Sequence, residues 1–296
     1  MTHDTPSTKR RRVPSRTKPF VAILAPGESA ELAHGQEKFI RHAVDFWLDD
    51  GNLILLAGDT AFRVYKGLLT KNSAVFADMF AAGSADATET FDGCPVVRLP
   101  DHPKDLRDFL QYLMPCSKLT LCKGRPVSDF AELHAAFHLA HKYQCPDVET
   151  RALSVLKRFY TPHFSDYAYF DASKAGLVRP PRNAAIAAVN IARLTETPSM
   201  LPFALYEVCT LEDHMVDGYT RRDGSVEHLT TADLKLCLGA RGQLAKQTAF
   251  YLKGVFEANP GEGCAHTTQC AQARDNMRDE VNINALGDCD IFTGGM

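Results

Sequence analysis

No run of apolar side chains in this chain approaches the about 18 to 20 residues that crossing a bilayer requires, and its first residues lack the apolar core of a secretory signal. Both absences point to an intracellular protein that makes no membrane contact. Disulfide framing is missing too: the 9 cysteines are scattered, and their odd number disfavours a fully paired set. Free thiols in a reducing compartment are the expectation. The sequence also has no glycine-rich phosphate loop of dinucleotide or Walker type, no Gly-x-Ser-x-Gly turn, and no kinase or zinc-protease signature. A protein without enzymatic activity and without a cofactor is therefore expected.

At 296 residues the chain is near the length at which one hydrophobic core divides, so two packed units are expected. An apolar share of 45% and a charged share of 23% are those of an ordinary globular chain. Charge is unevenly spread. Residues 1–20 hold Lys9, Arg10, Arg11, Arg12, Arg16 and Lys18 against Asp4, a balance of +5, which leaves −8 for the rest of a chain whose total is −3. With Pro6, Pro14 and Pro19 and almost no apolar residues, this arm reads as a disordered tail. It is either a nuclear-import address or a solvated arm, so nucleus and cytoplasm both stay open. Direct nucleic-acid binding is not expected from an acidic remainder. Arg179 with Arg182, and Arg221 with Arg222, read as isolated pairs in solvated loops.

Hydrophobic patterning supplies the elements. Glu28 to His42 reads as a short helix or a loop, and Phe46-Trp47 precedes the turn formers Asp49-Asp50-Gly51-Asn52. Leu53 to Ala57 is a continuous apolar run, and Phe62 and Val64 share a face beyond Gly58-Asp59, which together predict a β-hairpin. Ser73 is placed to cap a helix bearing Val75, Phe76, Met79 and Phe80, ended at Gly83. Residues 84–95 read as an exposed loop and Val96 to Leu99 as a strand. Pro103 opens a helix with Leu106, Phe109, Leu110 and Leu113 on one face. Helices from about Ser128, with Phe130, Leu133, Phe137, Ala140 and Tyr143, and from Asp147, with Val148, Ala152, Val155 and Phe159, complete an α+β region.

The stretch Asp50-Gly51-Asn52-Leu53-Ile54-Leu55-Leu56-Ala57, with Phe62-Arg63-Val64-Tyr65-Lys66, Leu69, Ser73, Val75-Phe76 and Asp78-Met79-Phe80, resembles the signature of BTB/POZ domains, in particular the fungal BTB proteins. Val97-Arg98-Leu99 with Asp101, Phe109-Leu110 and Leu139-Ala140-His141-Lys142-Tyr143 extend the match. The resemblance implies a BTB/POZ fold over residues 45–160, a short β-sheet flanked by helices, and an adaptor or scaffold that binds proteins. Among the implied partners are a second copy of the chain and the third cullin of ubiquitin ligases. Phe130 and Glu132 approximate the family's cullin-contact pattern, about two residues out of place. Two departures stand out. Tyr65 occupies a position commonly histidine, and Asn52 stands where several metazoan members carry an acid used in a dimer-interface pocket. A nuclear, transcription-associated factor acting through partners is the alternative.

Beyond Pro162, residues 163–183 read as loop-like, 184–258 as an all-helical extension, and 261–296 as a loose C-terminal segment. In the extension, Leu234, Leu238, Leu244, Phe250, Leu252 and Phe256 predict a buried helix face. Two histidine groups raise the question of metal. His134, His138 and His141 recur at helical spacing but lack a fixed acidic or sulfur partner, so the helix itself accounts for them. Cys264, His266, Cys270 and Cys289 offer four ligands in a glycine-rich segment, and a zinc-stapled C-terminal domain with an unrecognised activity is a further reading, although their spacings are not those of common zinc motifs.

Overall fold

The computed structural model describes residues 23–24, 40–82, 89–114, 129–257 and 264–285. The basic tail at 1–20 and Cys116, Cys122, Ser128 and Cys289 lie outside them. The chain is of mixed α+β class. It divides into two compact units, one running to Val64 and including Glu89–Leu99, the other holding Tyr65–Thr88 and everything from Pro100. This division sets the six-stranded sheet apart from the helices, and so runs through the region 45–160 that the sequence suggests as one domain.

The first unit is a sheet of six strands: β1 Ile23–Leu24, β2 Ile40–Trp47, β3 Leu53–Ala57, β4 Thr60–Val64, β5 Thr90–Phe91 and β6 Cys94–Leu99, in the order β1-β2-β4-β3-β6-β5. The expected hairpin is β3 with β4, antiparallel from Leu53↔Val64 to Ala57↔Thr60, and Gly58 supplies the positive φ of 56° that its turn needs. All five residues of β3 are buried, as a continuous apolar run implies. Its second neighbour, β6, is parallel, so both edges of β3 are engaged.

Two expectations fail in this sheet. Residues 40–42, expected as helix or loop, belong to strand β2, which pairs in parallel with β4 through a register shift between His42 and Trp47 and buries Ile40, Ala43 and Phe46. The three-residue spacing of these buried positions is not the alternation that marks a strand. Within the expected loop 84–95, Thr90–Phe91 pairs with Cys94–Pro95 around Asp92 and Gly93, both at positive φ (48° and 72°). Asp-Gly is a strong hairpin signal in its own right. Arg63 tethers this turn, donating to Asp92 Oδ2 at 3.0 Å and to Gly51 O at 2.9 Å.

The second unit is helical: α1 Lys66–Asn72, α2 Ala74–Ala82, α3 Pro103–Leu113, α4 Phe130–Lys142, α5 Pro146–Phe159, α6 Phe164–Ala168, α7 Ala172–Ala175, α8 Ala184–Leu194, α9 Leu201–Cys209, α10 Thr231–Glu257 and α11 Thr267–Ala285. A short hairpin, β7 Tyr219–Thr220 with β8 Val226–Glu227, interrupts them. Leu106, Phe109, Leu110 and Leu113 of α3 and Phe130, Leu133, Phe137 and Ala140 of α4 are buried as their spacing requires. Asp129 caps α4 by accepting from Glu132 N at 2.8 Å. Alanine-rich α8 buries 8 of its 11 residues. Residues 261–296, expected to be loose, contain α11, whose 19 residues include neither glycine nor proline and several strong helix formers.

Ser73 joins three elements. Its Oγ accepts from Phe76 N at 3.0 Å, capping α2, and donates to Tyr143 O at 2.5 Å at the end of α4. Tyr143 in turn stacks on Phe76 with ring centroids 4.4 Å apart and donates its hydroxyl to Asp101. Replacing Ser73 with alanine removes the cap and leaves the buried Tyr143 carbonyl only the weak Cys145 thiol donor. A loss of about 1–3 kcal/mol is expected, measured as a shift in the urea midpoint; an unchanged midpoint would show that Ser73 does not hold these elements together.

Candidate functional site

Phe130 and Glu132 lie in the first turn of α4. Phe130 is 1% exposed, with its ring 5.5 Å from that of Tyr219 in an edge contact and 5.7 Å from that of His134. In this structure Phe130 is thus packed as a core residue of α4. Glu132 is half-buried at the helix start, where its charge suits the positive end of the helix dipole.

In the C-terminal group the structure brings two of the four expected metal ligands together. Cys264 Sγ and Cys270 Sγ are 3.3 Å apart. His266 is joined to this pair through its backbone, Cys270 N donating to His266 O at 2.9 Å. Cys289 lies outside the described residues. The groups of three or more potential ligands found among the described residues do not include this one.

Of the arginine pairs, Arg179 and Arg182 are exposed loop residues, as the sequence suggests, whereas Arg221 and Arg222 are half-buried. Arg179 sits over the rings of Phe159 and Phe170, at 5.4 and 5.6 Å from their centroids. Arg222, in the turn of the β7–β8 hairpin, reaches α3: its Nη1 hydrogen-bonds Asp108 Oδ2 and stands 3.5 Å from Asp105 Oδ1, while Nη2 is 3.8 Å from Asp129 Oδ1. Asp105 and Asp108 are both buried, which a carboxylate tolerates only with a partner. Burial disfavours the charge of Arg222, but the hydrogen bond and negative charge of Asp108, with Asp105 and Asp129, outweigh it and raise its pKa. For Asp108 burial wins: its pKa is pushed up to about 6 although Arg222 pulls it down.

The same hairpin brings Glu227 to α4. His134 and His138 are four residues apart, which places both rings on one helix face with centroids 4.2 Å apart. Glu227 Oε1 lies 2.9 Å from His134 Nε2 and 3.2 Å from His138 Nε2. Arg221 Nε is 3.6 Å from the same oxygen. Burial lowers the pKa of His134. It would raise that of Glu227, but the two adjacent imidazoles outweigh it and hold the carboxyl well below its usual range. An anionic Glu227 beside a neutral His134 satisfies both directions. His141, which shares the helical spacing, is not part of this group and pairs instead with Glu149 at 3.3 Å. Glu227 is the residue that sequence reasoning missed. It is remote in the chain, and the only local signal was Gly218, whose φ of 85° marks a turn before β7.

The hairpin geometry depends on that glycine. A Cβ there would fall 2.6 Å from Glu227 O and 2.5 Å from Val226 Cγ1. Close approach of the two strands, and hence the position of Glu227, therefore requires the missing side chain.

A further feature is apolar. Only the first turns of α10 are buried, at Asp233 and Cys237. Leu238 and Phe250, expected on a buried face, point outward, and Phe250 and Tyr251 are 69% and 65% exposed. Leu236 is exposed as well. At helical spacing Leu236, Phe250 and Tyr251 fall on one side of α10.

Because Asp108 binds its proton more tightly in the fold than in the unfolded chain, the folded form takes up the proton, and stability falls as pH rises from about 4 to about 6. Above that window the residue's contribution is constant. Asp108→Asn removes this dependence, so the urea midpoint of the variant relative to the native chain is expected to rise across the window. A difference independent of pH would refute the assignment.

No family model matches the sequence, and no curated protein matches it.

Proposed function

We propose that this protein is a BTB/POZ-type protein-interaction module with a helical extension, acting as an adaptor or scaffold rather than as an enzyme. The reading rests on the residues from Asp50 to Tyr143 that resemble the family signature. The mixed succession of elements from β3 to α5, with short strands flanked by helices, is compatible with it. The observation that carries the interaction role is the outward aromatic pair Phe250 and Tyr251 on α10. Exposed aromatic groups of this size characterise contact sites more than solvated surface. No helix among the described residues is long and apolar enough to cross a membrane.

With Phe130 buried, a cullin contact would have to use Glu132 and other outward residues of α4. The homodimer and cullin readings are separable by experiment. Light scattering of the purified chain reports the first, and a pull-down with a cullin N-terminal domain the second.

The double variant Phe250→Asp, Tyr251→Asp is expected to leave stability within about 0.5 kcal/mol while depleting the proteins that co-purify with the native chain, as quantified by mass spectrometry. Recovery of the same proteins in the same amounts would remove α10 from the interaction surface.

A further inference from the structure

Three nitrogen and oxygen donors from two distant stretches of chain meet at one point: His134 Nε2 and His138 Nε2 from α4 and Glu227 Oε1 from β8, all within 4.8 Å of one another. Each of the three atoms is buried and none has a hydrogen-bond partner of acceptable geometry, although they are 2.9 and 3.2 Å apart. The side chain of His134 is only 4% exposed. Bringing lone pairs together in a buried place is costly unless a proton or a cation lies between them. Protons on the imidazoles would have to point along the contacts, and they do not.

A metal ion lies off the line joining its ligands. Tetrahedral coordination with bonds of about 2.0 to 2.1 Å separates the ligand atoms by about 3.3 Å, close to both separations from Glu227. Two histidines on successive turns of one helix with one carboxylate is also a donor set of the right kind, since imidazole and carboxylate suit divalent first-row ions. We propose that His134, His138 and Glu227 form a binding site for a divalent transition ion, with zinc the best match to the donors. The remaining coordination position is left to water.

Ala135 follows His134, at the place where a His-Glu-x-x-His helix carries the general base of a metalloprotease. The site therefore holds a metal without the group that such enzymes use to activate water. Its effect is mechanical: one ion ties the β7–β8 hairpin to α4. Arg221 is the competitor. Its Nε, 3.6 Å from Glu227 Oε1 and itself without a hydrogen-bond partner, supplies a positive charge to the carboxylate when no metal is bound. With a side chain 26% exposed, it has a route outward to solvent as the ion enters.

The test uses the full chain, stripped with chelator and titrated with zinc by calorimetry, and separately loaded with cobalt(II) for its visible spectrum. About one ion per chain is expected, with cobalt bands of nitrogen and oxygen ligation and no thiolate charge transfer. His138→Ala and Glu227→Gln are expected to lose measurable binding at micromolar zinc, and Cys264→Ser with Cys270→Ser to retain it. Arg221→Gln keeps all three ligands and removes the competing charge, so zinc affinity is expected to rise about tenfold; this arm is informative even where a ligand variant fails to fold. No zinc binding by the native chain, a thiolate cobalt spectrum abolished by the cysteine replacements, or an affinity unchanged in Arg221→Gln would each overturn the proposal.

Discussion

The helical unit is organised around charges that cannot be left buried alone. Asp105 and Asp108 lie on the inner side of α3, where an unpaired carboxylate would be prohibitive, and Arg222 comes to them from more than a hundred residues along the chain. From the same hairpin Glu227 reaches His134 and His138 on α4. A nine-residue segment, 219–227, thus brings charged groups to two helices at once, and its strands can approach closely only because Gly218 has no side chain. The apolar faces of α3 and α4 bring them into the core, but the ionic contacts decide where the hairpin sits.

Breaking one of these pairs costs more than making it gains, since the partner left behind remains buried. Specificity follows from that asymmetry. Asp108 illustrates the tension: burial pushes its pKa upward even with a guanidinium alongside, so its charge is carried at a cost. Ser73 works differently. It is neutral, caps α2, and donates to the last carbonyl region of α4, and so links two helices without a charge penalty.

Much of this architecture was legible in the residues. The hairpin of β3 and β4 follows from a five-residue apolar run and Gly58-Asp59, and the burial of α3 and α4 from helical spacing. Strand β2 was not legible, because its buried positions recur every three residues rather than alternating, and its pairing partner β4 lies beyond the intervening β3. Nor was the outward turn of Phe250: periodicity marks apolar positions on a helix, but whether another element covers them is not a property of the helix. The cysteines of the C-terminal group invited a metal reading through composition, whereas the donors that converge in space are an i, i+4 histidine pair and a glutamate from a separate hairpin.

Local chemistry alone therefore determined the elements that depend on local chemistry: caps, turns, apolar runs and the amphipathic helices they bound. Tertiary structure decided the rest. It enclosed Phe130 against Tyr219 and packed it as a core residue. It drew Arg222 out of a presumed solvated loop and onto two buried aspartates. It also supplied Glu227 as the acid that His134 and His138 lack in sequence. For Arg222 the reason is the buried charge it meets. A buried charge or donor is satisfied by whichever group the folded chain carries to it, and sequence distance places no limit on that choice.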